Sequence, residues 1–181
     1  MKFNINQKEL QEALGYCQGV IEKRSTLQIL SNILLDASNS KLIVTATDLD
    51  LIFIHRINDI EILEEGKTTT TSSTIFDIVR KFSSDKKINI SLNNNSKLKI
   101  ESENSIFNLN CIDPSEYPLT DENFDENEFI INSKQFLKLL NKCKFSVSND
   151  ETRHYLSGIY FHQTEFEDKV YLTAVATDSH R

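Results

Sequence analysis

At 181 residues and 20.8 kDa the chain has room for one compact domain or a domain and a half, at the usual ~100 to 200 residues per domain. With 39% hydrophobic and 26% charged residues the composition is globular, and no apolar run approaches the ~18 to 20 residues of a bilayer crossing, which excludes a helical membrane span. The net charge of -7 would argue against a polyanionic partner if it were evenly spread. It is not: Asp113, Glu116, Asp121, Glu122, Asp125, Glu126 and Glu128 fall between Ile112 and Ser133 with no lysine or arginine among them. Those acids carry the whole imbalance, so the sum leaves room for a basic face elsewhere.

The chain opens on Met1-Lys2-Phe3-Asn4-Ile5-Asn6, which alternates apolar and polar residues and lacks the apolar core of a signal peptide; a cytoplasmic location is expected. A short strand at 3–5 leads into a helix in which Leu10, Ala13, Leu14 and Cys17 recur at spacings of three and four, with Asn6 as N-cap and Glu9 three residues on. Strands rich in Ile, Leu and Val follow at 29–37, 41–47 and 51–57, with Asn39-Ser40 as a hairpin turn. The unit is βαβββ. A second one is predicted from a strand at 68–71, a helix over 73–82 carrying Ile75, Phe76, Val79 and Phe82, and strands at 88–92, 97–102 and 106–112. Two units make a first domain of residues 1–112.

Both prolines, Pro114 and Pro118, lie in the acidic stretch. Proline donates no backbone hydrogen bond and biases its predecessor to extended geometry, and dense like charge resists collapse, so 113–127 reads as an interdomain linker. A long surface loop within one domain is the alternative. The two flanks of this segment are related. Lys2 to Leu10 lines up with Glu128 to Phe136, and the same offset pairs Leu14 with Leu140 and Cys17 with Cys143; Leu30-Ser31-Asn32-Ile33 then matches Leu156-Ser157-Gly158-Ile159, and Ala46-Thr47-Asp48 matches Ala176-Thr177-Asp178. Order, register and element type are kept, which marks an internal repeat. Residues 128–181 accordingly supply a strand at 129–131, a helix from 133 to 145 and strands at 155–163 and 169–177. That is the first half of a second domain, expected to run on for roughly another 60 residues because a half sheet leaves its edge and apolar face uncovered.

Catalytic chemistry finds little support. His55, His154, His162 and His180 show no metal-binding spacing, the four glycines build no phosphate loop, and no cofactor or metal is expected. The odd count of three cysteines, Cys17, Cys111 and Cys143, fits core thiols rather than a disulfide framework. Thr177-Asp178-Ser179-His180-Arg181 gathers acid, hydroxyl and base, but neighbouring strand residues point to opposite faces. Its match to Thr47-Asp48 favours an end-of-strand turn. The helix at 133–145 is more telling. Lys134, Lys138 and Lys142 stand four apart, Lys144 is close by, no acid intervenes, and Phe136, Leu137, Leu139, Leu140 and Cys143 are expected on the buried side. Such a stripe is either a solvated face or a surface that tracks phosphates without reading bases. Lys23-Arg24 and Arg80-Lys81 place further cations near helix C-termini, where the helix dipole also favours them.

Taken together, Met1-Lys2-Phe3, the run from Arg24 to Leu35, Thr45-Ala46-Thr47-Asp48-Leu49, Phe76-Asp77-Ile78-Val79-Arg80, the run from Arg153 to Gly158 and the run from Ala174 to Arg181 resemble the bacterial DNA polymerase sliding clamp, the beta subunit of polymerase III. The resemblance covers the whole chain. It implies an α+β DNA clamp fold, with βαβββ units and helices on one face of antiparallel sheets. It also implies three such domains per full-length chain and a ring-shaped homodimer that encircles duplex DNA as a processivity factor. Arg24 matches a family arginine that touches DNA, and Asn149, His154 and Tyr155 match the loop and strand start near the duplex, where the family often has tyrosine in place of His154. With Arg80, Lys134, Lys138 and Lys142 these are the candidate DNA contacts. Leu156, Thr177, His180 and Arg181 match part of a pocket for the short linear motif of the replicative polymerase, the clamp loader and repair proteins; Ser179 replaces the usual glycine there. Phe107 and Leu109 match the dimer interface, with core packing as the alternative. Two other readings remain: a sequence-nonspecific DNA-binding module without ring closure, and a small-molecule enzyme, for which no convergent polar site can be assembled.

Overall fold

The computed structural model describes residues 1–21, 27–93, 96–119 and 129–181. The chain divides into two compact units, Met1–Asp121 and Glu122–Arg181.

The first unit begins with β1 (Lys2–Asn6), where strict alternation buries Phe3 and Ile5. Helix α1 (Gln7–Cys17) follows and buries Leu10, Ala13, Leu14 and Cys17, the face its spacing predicts. Asn6 stands at the N-cap, yet its side chain donates to Glu9 Oε2 at 3.3 Å instead of accepting from the helix. A 3-10 turn at Gln28–Ser31 leads to β2 (Asn32–Ser38), β3 (Lys41–Thr47) and β4 (Ile52–Ile57). The strand expected from residue 29 thus starts at Asn32. Asn39 and Ser40 take φ of 50° and 58°, the left-handed pair that closes a two-residue hairpin with the twist of its strands. After β5 (Glu61–Glu64) come β6 (Gly66–Thr71), α2 (Ser72–Val79), β7 (Lys87–Leu92), β8 (Lys97–Ser102) and β9 (Ser105–Asn110). The predicted α2 is shortened at its C-terminal end, and β5 was not predicted.

Two antiparallel sheets result, in the orders β5-β1-β7-β8-β9 and β4-β3-β2-β6. The opening strand of each βαβββ half therefore sits in the other half's sheet: β1 pairs with β7, and β6 with β2. Helices α1 and α2 pack together and cap one another. Gln7 Nε2 donates to the carbonyl of Val79 at 2.9 Å, at the C-terminal end of α2, while Gln18 Nε2 donates to Ser72 Oγ at 2.8 Å, at its start. Phe3, Leu10, Leu14, Ile33, Leu35, Ile75, Val79, Ile88 and Leu98 fill one core, each large side chain contributing about 1.5 to 3 kcal/mol of burial.

The residues read as the start of a linker pack on this unit. Thr69 Oγ1 donates to the Ile112 carbonyl at 2.8 Å and accepts from its amide at 3.2 Å. Asp113 caps a 3-10 turn at Pro114–Glu116. Tyr117 is 4% exposed, and its hydroxyl donates between the carbonyls of Thr45 and Asn32 at 3.1 and 3.4 Å. An aromatic ring with two backbone acceptors outweighs the charge around it. The acidic residues from Asp121 to Glu128 lie outside the described residues.

In the second unit α3 (Ser133–Cys143) is followed by 3-10 turns at Lys144–Ser146 and Glu151–Leu156 and by the hairpin β10 (Tyr160–Phe166) and β11 (Lys169–Val175). Elements α3, β10 and β11 have the 11, 7 and 7 residues of α1, β2 and β3. The hairpin turn repeats as well, with Glu167 and Asp168 at φ of 51° and 57°. Three expectations fail here. Residues 129–131 form no strand, since no counterpart of β7 exists among residues 129–181 to pair with them. Residues 155–159 are not strand, because Tyr155 and Leu156 close a 3-10 segment and pairing begins only at Tyr160. Leu137, expected on the buried side of α3, is 57% exposed.

Candidate functional site

The lysine stripe stands as the spacing requires. Asn132 caps α3 by accepting from the amides of Lys134 and Gln135 at 3.1 and 3.3 Å, which satisfies donors the helix itself cannot pair. From that start Lys134, Lys138 and Lys142 fall on exposed positions, and among the described residues none of them is in an ion pair. Lys138 and Lys142 also border a groove of about 570 Å³ floored by Leu139, Val170 and Leu172. Asn149, His154 and Tyr155 lie on or beside the 3-10 segment after α3, all exposed, with the His154 and Tyr155 rings edge to face at 6.0 Å.

Arg80 behaves differently. Its guanidinium pairs with Asp77 at 3.1 Å and lies 5.8 Å over the Phe76 ring, so its charge is partly compensated within its own helix. Arg24 falls outside the described residues. Phe107 and Leu109 lie on β9, the outer strand of its sheet; Phe107 meets Phe82 edge on at 6.0 Å and is 39% exposed, while Leu109 packs on the core.

The run from Thr177 to Arg181 is a turn that begins two residues after β11. The amides of His180 and Arg181 donate to Asp178 Oδ1 at 3.0 and 3.1 Å, that of Ser179 to Thr177 Oγ1 at 3.1 Å, and Arg181 Nε to Asp178 Oδ2 at 2.9 Å. The His180 amide above all, with Arg181 behind it, holds the Asp178 carboxyl below the usual carboxylate range. The first repeat builds the same turn: the amides of Asp50 and Leu51 donate to Asp48 Oδ1, and that of Leu49 to Thr47 Oγ1. Leu49 and Ser179 share a left-handed φ of 83° and 77°. The sharp reversal brings Arg181 to 5.5 Å over the Phe145 ring and sets Ser179 against Arg153 at 2.8 Å. Leu156 is half-buried, whereas Thr177, Ser179, His180 and Arg181 are exposed. Sequence reasoning missed Phe145 and Arg153 as members of this cluster; Arg153 three residues after Asp150 was the available signal.

Among the described residues no group of three His, Cys, Asp or Glu side chains could hold a metal ion, and no helix is long and apolar enough to cross a membrane.

Paired antiparallel sheets carrying two neighbouring helices, followed by a second helix and hairpin of the same lengths, define a protein of the DNA clamp class. Solved clamps superpose on the chain with TM-scores up to 0.94. Residues 1–121 match the family model of the DNA polymerase III beta subunit N-terminal domain, and residues 130–181 that of its central domain. The chain belongs to the DNA polymerase III beta subunit family. It is 35% identical over 182 residues to the beta sliding clamp of Caulobacter vibrioides, covering 100% of this chain and 49% of that one. To the beta sliding clamp of Escherichia coli K12 it is 32% identical over 181 residues, covering 48% of that protein. The solved Caulobacter crescentus pol III beta gives a TM-score of 0.93 at 34% identity, over 99% of this chain and 48% of that one. The chain thus spans about half the length of the curated relatives it matches.

Proposed function

We propose that these residues belong to a DNA polymerase processivity factor, a non-catalytic cytoplasmic protein whose full-length form closes a homodimeric ring around duplex DNA. Residues 1–112, with the docked 113–117 segment, make its first clamp domain, and 128–181 the first half of its second. Lys134, Lys138 and Lys142 support this reading most directly: they are exposed, unpaired among the described residues and aligned on one helix. Ammonium groups in a row follow phosphates and ignore sequence, as sliding requires. Asn149, His154 and Tyr155, exposed on or beside the 3-10 segment after α3, would extend these contacts, and Arg24 and Arg80 would add first-domain cations. Because a closed ring cannot leave sideways, weak and salt-screened contacts suffice. Leu156, Thr177, Ser179, His180 and Arg181 would form part of the pocket for the polymerase, clamp-loader and repair-protein motif, and Phe107 and Leu109 on the outer strand β9 would meet the second copy.

The test uses the whole protein loaded on nicked circular duplex. Retention on circles and loss on linearisation are expected. Changing Lys134, Lys138 and Lys142 to glutamate should shorten retention and lower the slope of log affinity against log salt by about one per lysine. Tight, topology-independent binding to linear DNA would refute ring closure and favour an open DNA-binding module.

A further inference from the structure

Resting on the pocket reading above, we propose that Arg153 is a positioning residue: through Ser179 it ties the turn carrying Thr177, His180 and Arg181 to the segment carrying Leu156. The guanidinium spans two anchors. Its Nε donates to Asp150 Oδ2 at 2.8 Å and its Nη1 to Ser179 Oγ at 2.8 Å, joining residues 26 apart in sequence. The near anchor is itself fixed. Asp150 Oδ1 accepts from the Thr152 amide and hydroxyl at 3.0 and 2.6 Å, and the Asp150 amide donates to Ser148 Oγ at 3.1 Å. The Ser148 amide in turn donates to the Leu156 carbonyl at 3.0 Å. An unbroken series of bonds therefore runs from Leu156 through Ser148, Asp150 and Arg153 to Ser179.

The first repeat serves as an internal control. Its turn at Thr47 and Asp48 has the same local bonds and the same left-handed residue, but that residue is Leu49, which has no polar atom to offer. Local bonds fix the shape of a turn without fixing where it points. Among the described residues only the second turn has a distant hook. A left-handed φ favours glycine, so a serine there is strained unless its side chain is used. The Ser179 hydroxyl is used, by a planar donor whose two nitrogens reach both anchors at once, a geometry lysine cannot copy.

The experiment compares Arg153→Ala, Ser179→Ala, their double variant and Arg153→Lys in the whole protein. It reads amide exchange at residues 178–181 and affinity for a synthetic peptide copied from the clamp-binding motif of the replicative polymerase. Each alanine variant should speed exchange and weaken the peptide roughly three- to fivefold, the size expected of one exposed charge-assisted hydrogen bond. The double variant should add nothing further, and lysine should not rescue. Additive losses, unchanged exchange or lysine rescue would overturn the role of Arg153 while leaving the pocket in place. If the unaltered protein fails to bind the peptide, the pocket reading itself falls.

Discussion

Helices α1 and α3 hold the same place in two copies of one repeat and have opposite fates. α1 buries Leu10, Ala13, Leu14 and Cys17 completely, whereas no residue of the more sharply two-faced α3 is buried. The difference lies in what surrounds them. Around α1 stand α2, the strands of both sheets and the reciprocal glutamine caps; around α3 only its hairpin is present among residues 129–181. Leu137 takes the place that Gln11 holds in α1, where Gln11 and Phe76 of α2 line one groove, and it is bare. Sequence amphipathicity states what a helix is built to bury, and its neighbours decide how much it does bury.

The sharpest way to break this comparison is the matched pair Leu14 and Leu140. In the 181-residue chain Leu14→Ala should destabilise the first unit by about 3 kcal/mol, within the range for a fully buried leucine, as read by residue-resolved amide exchange. Leu140→Ala should cost about 1 kcal/mol or less, because Leu140 is only half-buried. Equal losses would mean that α3 is as enclosed as α1.

Alkaline pH should come next and act on the first unit alone. Burial pushes the Cys17 thiol up from 9.0 to about 12, and burial, with Cys17 beside it, pushes the Tyr117 phenol well above its ordinary value. Both groups are raised in the folded state, so their contribution is complete below the unfolded values and is lost as pH climbs towards the folded ones. Stability should fall above about pH 9, by about 1.4 kcal/mol per pH unit for one such group. The urea midpoint at pH 8 and pH 10.5 measures this. Cys17→Ala should shrink the drop, and an equal drop in the second unit would contradict it.

The smallest effect belongs to the second unit in acid. The Thr152 hydroxyl, then Arg153, then the Thr152 amide lower the Asp150 carboxyl from 3.8 to about 2. A lowered carboxylate contributes above its unfolded value and loses that contribution as pH falls through the folded one, so the 150–156 segment should loosen between about pH 4 and 2. Carboxyl carbon shifts follow the titration. Thr152→Val and Arg153→Ala should each return it towards 3.8.

Periodicity carried most of the fold. Strands β3 and β8 lie where their alternation places them, and the repeat located α3 and β11, though not the start of β10. What was illegible depends on distant partners. Glu-Ile-Leu-Glu at β5 has charged ends and a single β-branched residue, and it is a strand because β1 offers it an outer edge. Residues 129–131, Phe-Ile-Ile, are apolar and β-branched enough for a strand and form none for want of one. Tyr117 was masked by the prolines and acids around it. Of the candidate sites, the lysine row follows from spacing alone, whereas the Arg153 bridge needed the fold to bring residues 153 and 179 together.

The exchange of opening strands between the two halves of the first unit bears on how the chain can fold at all. Lys2–Asn6 emerges from the ribosome about eighty residues before Lys87–Leu92, the strand that joins it to the rest of its sheet, so the amino terminus must wait for most of the unit to be synthesised. Cutting between β5 and β6 would leave each piece holding a strand that belongs to the other. Such a module is inherited, duplicated or lost as a whole.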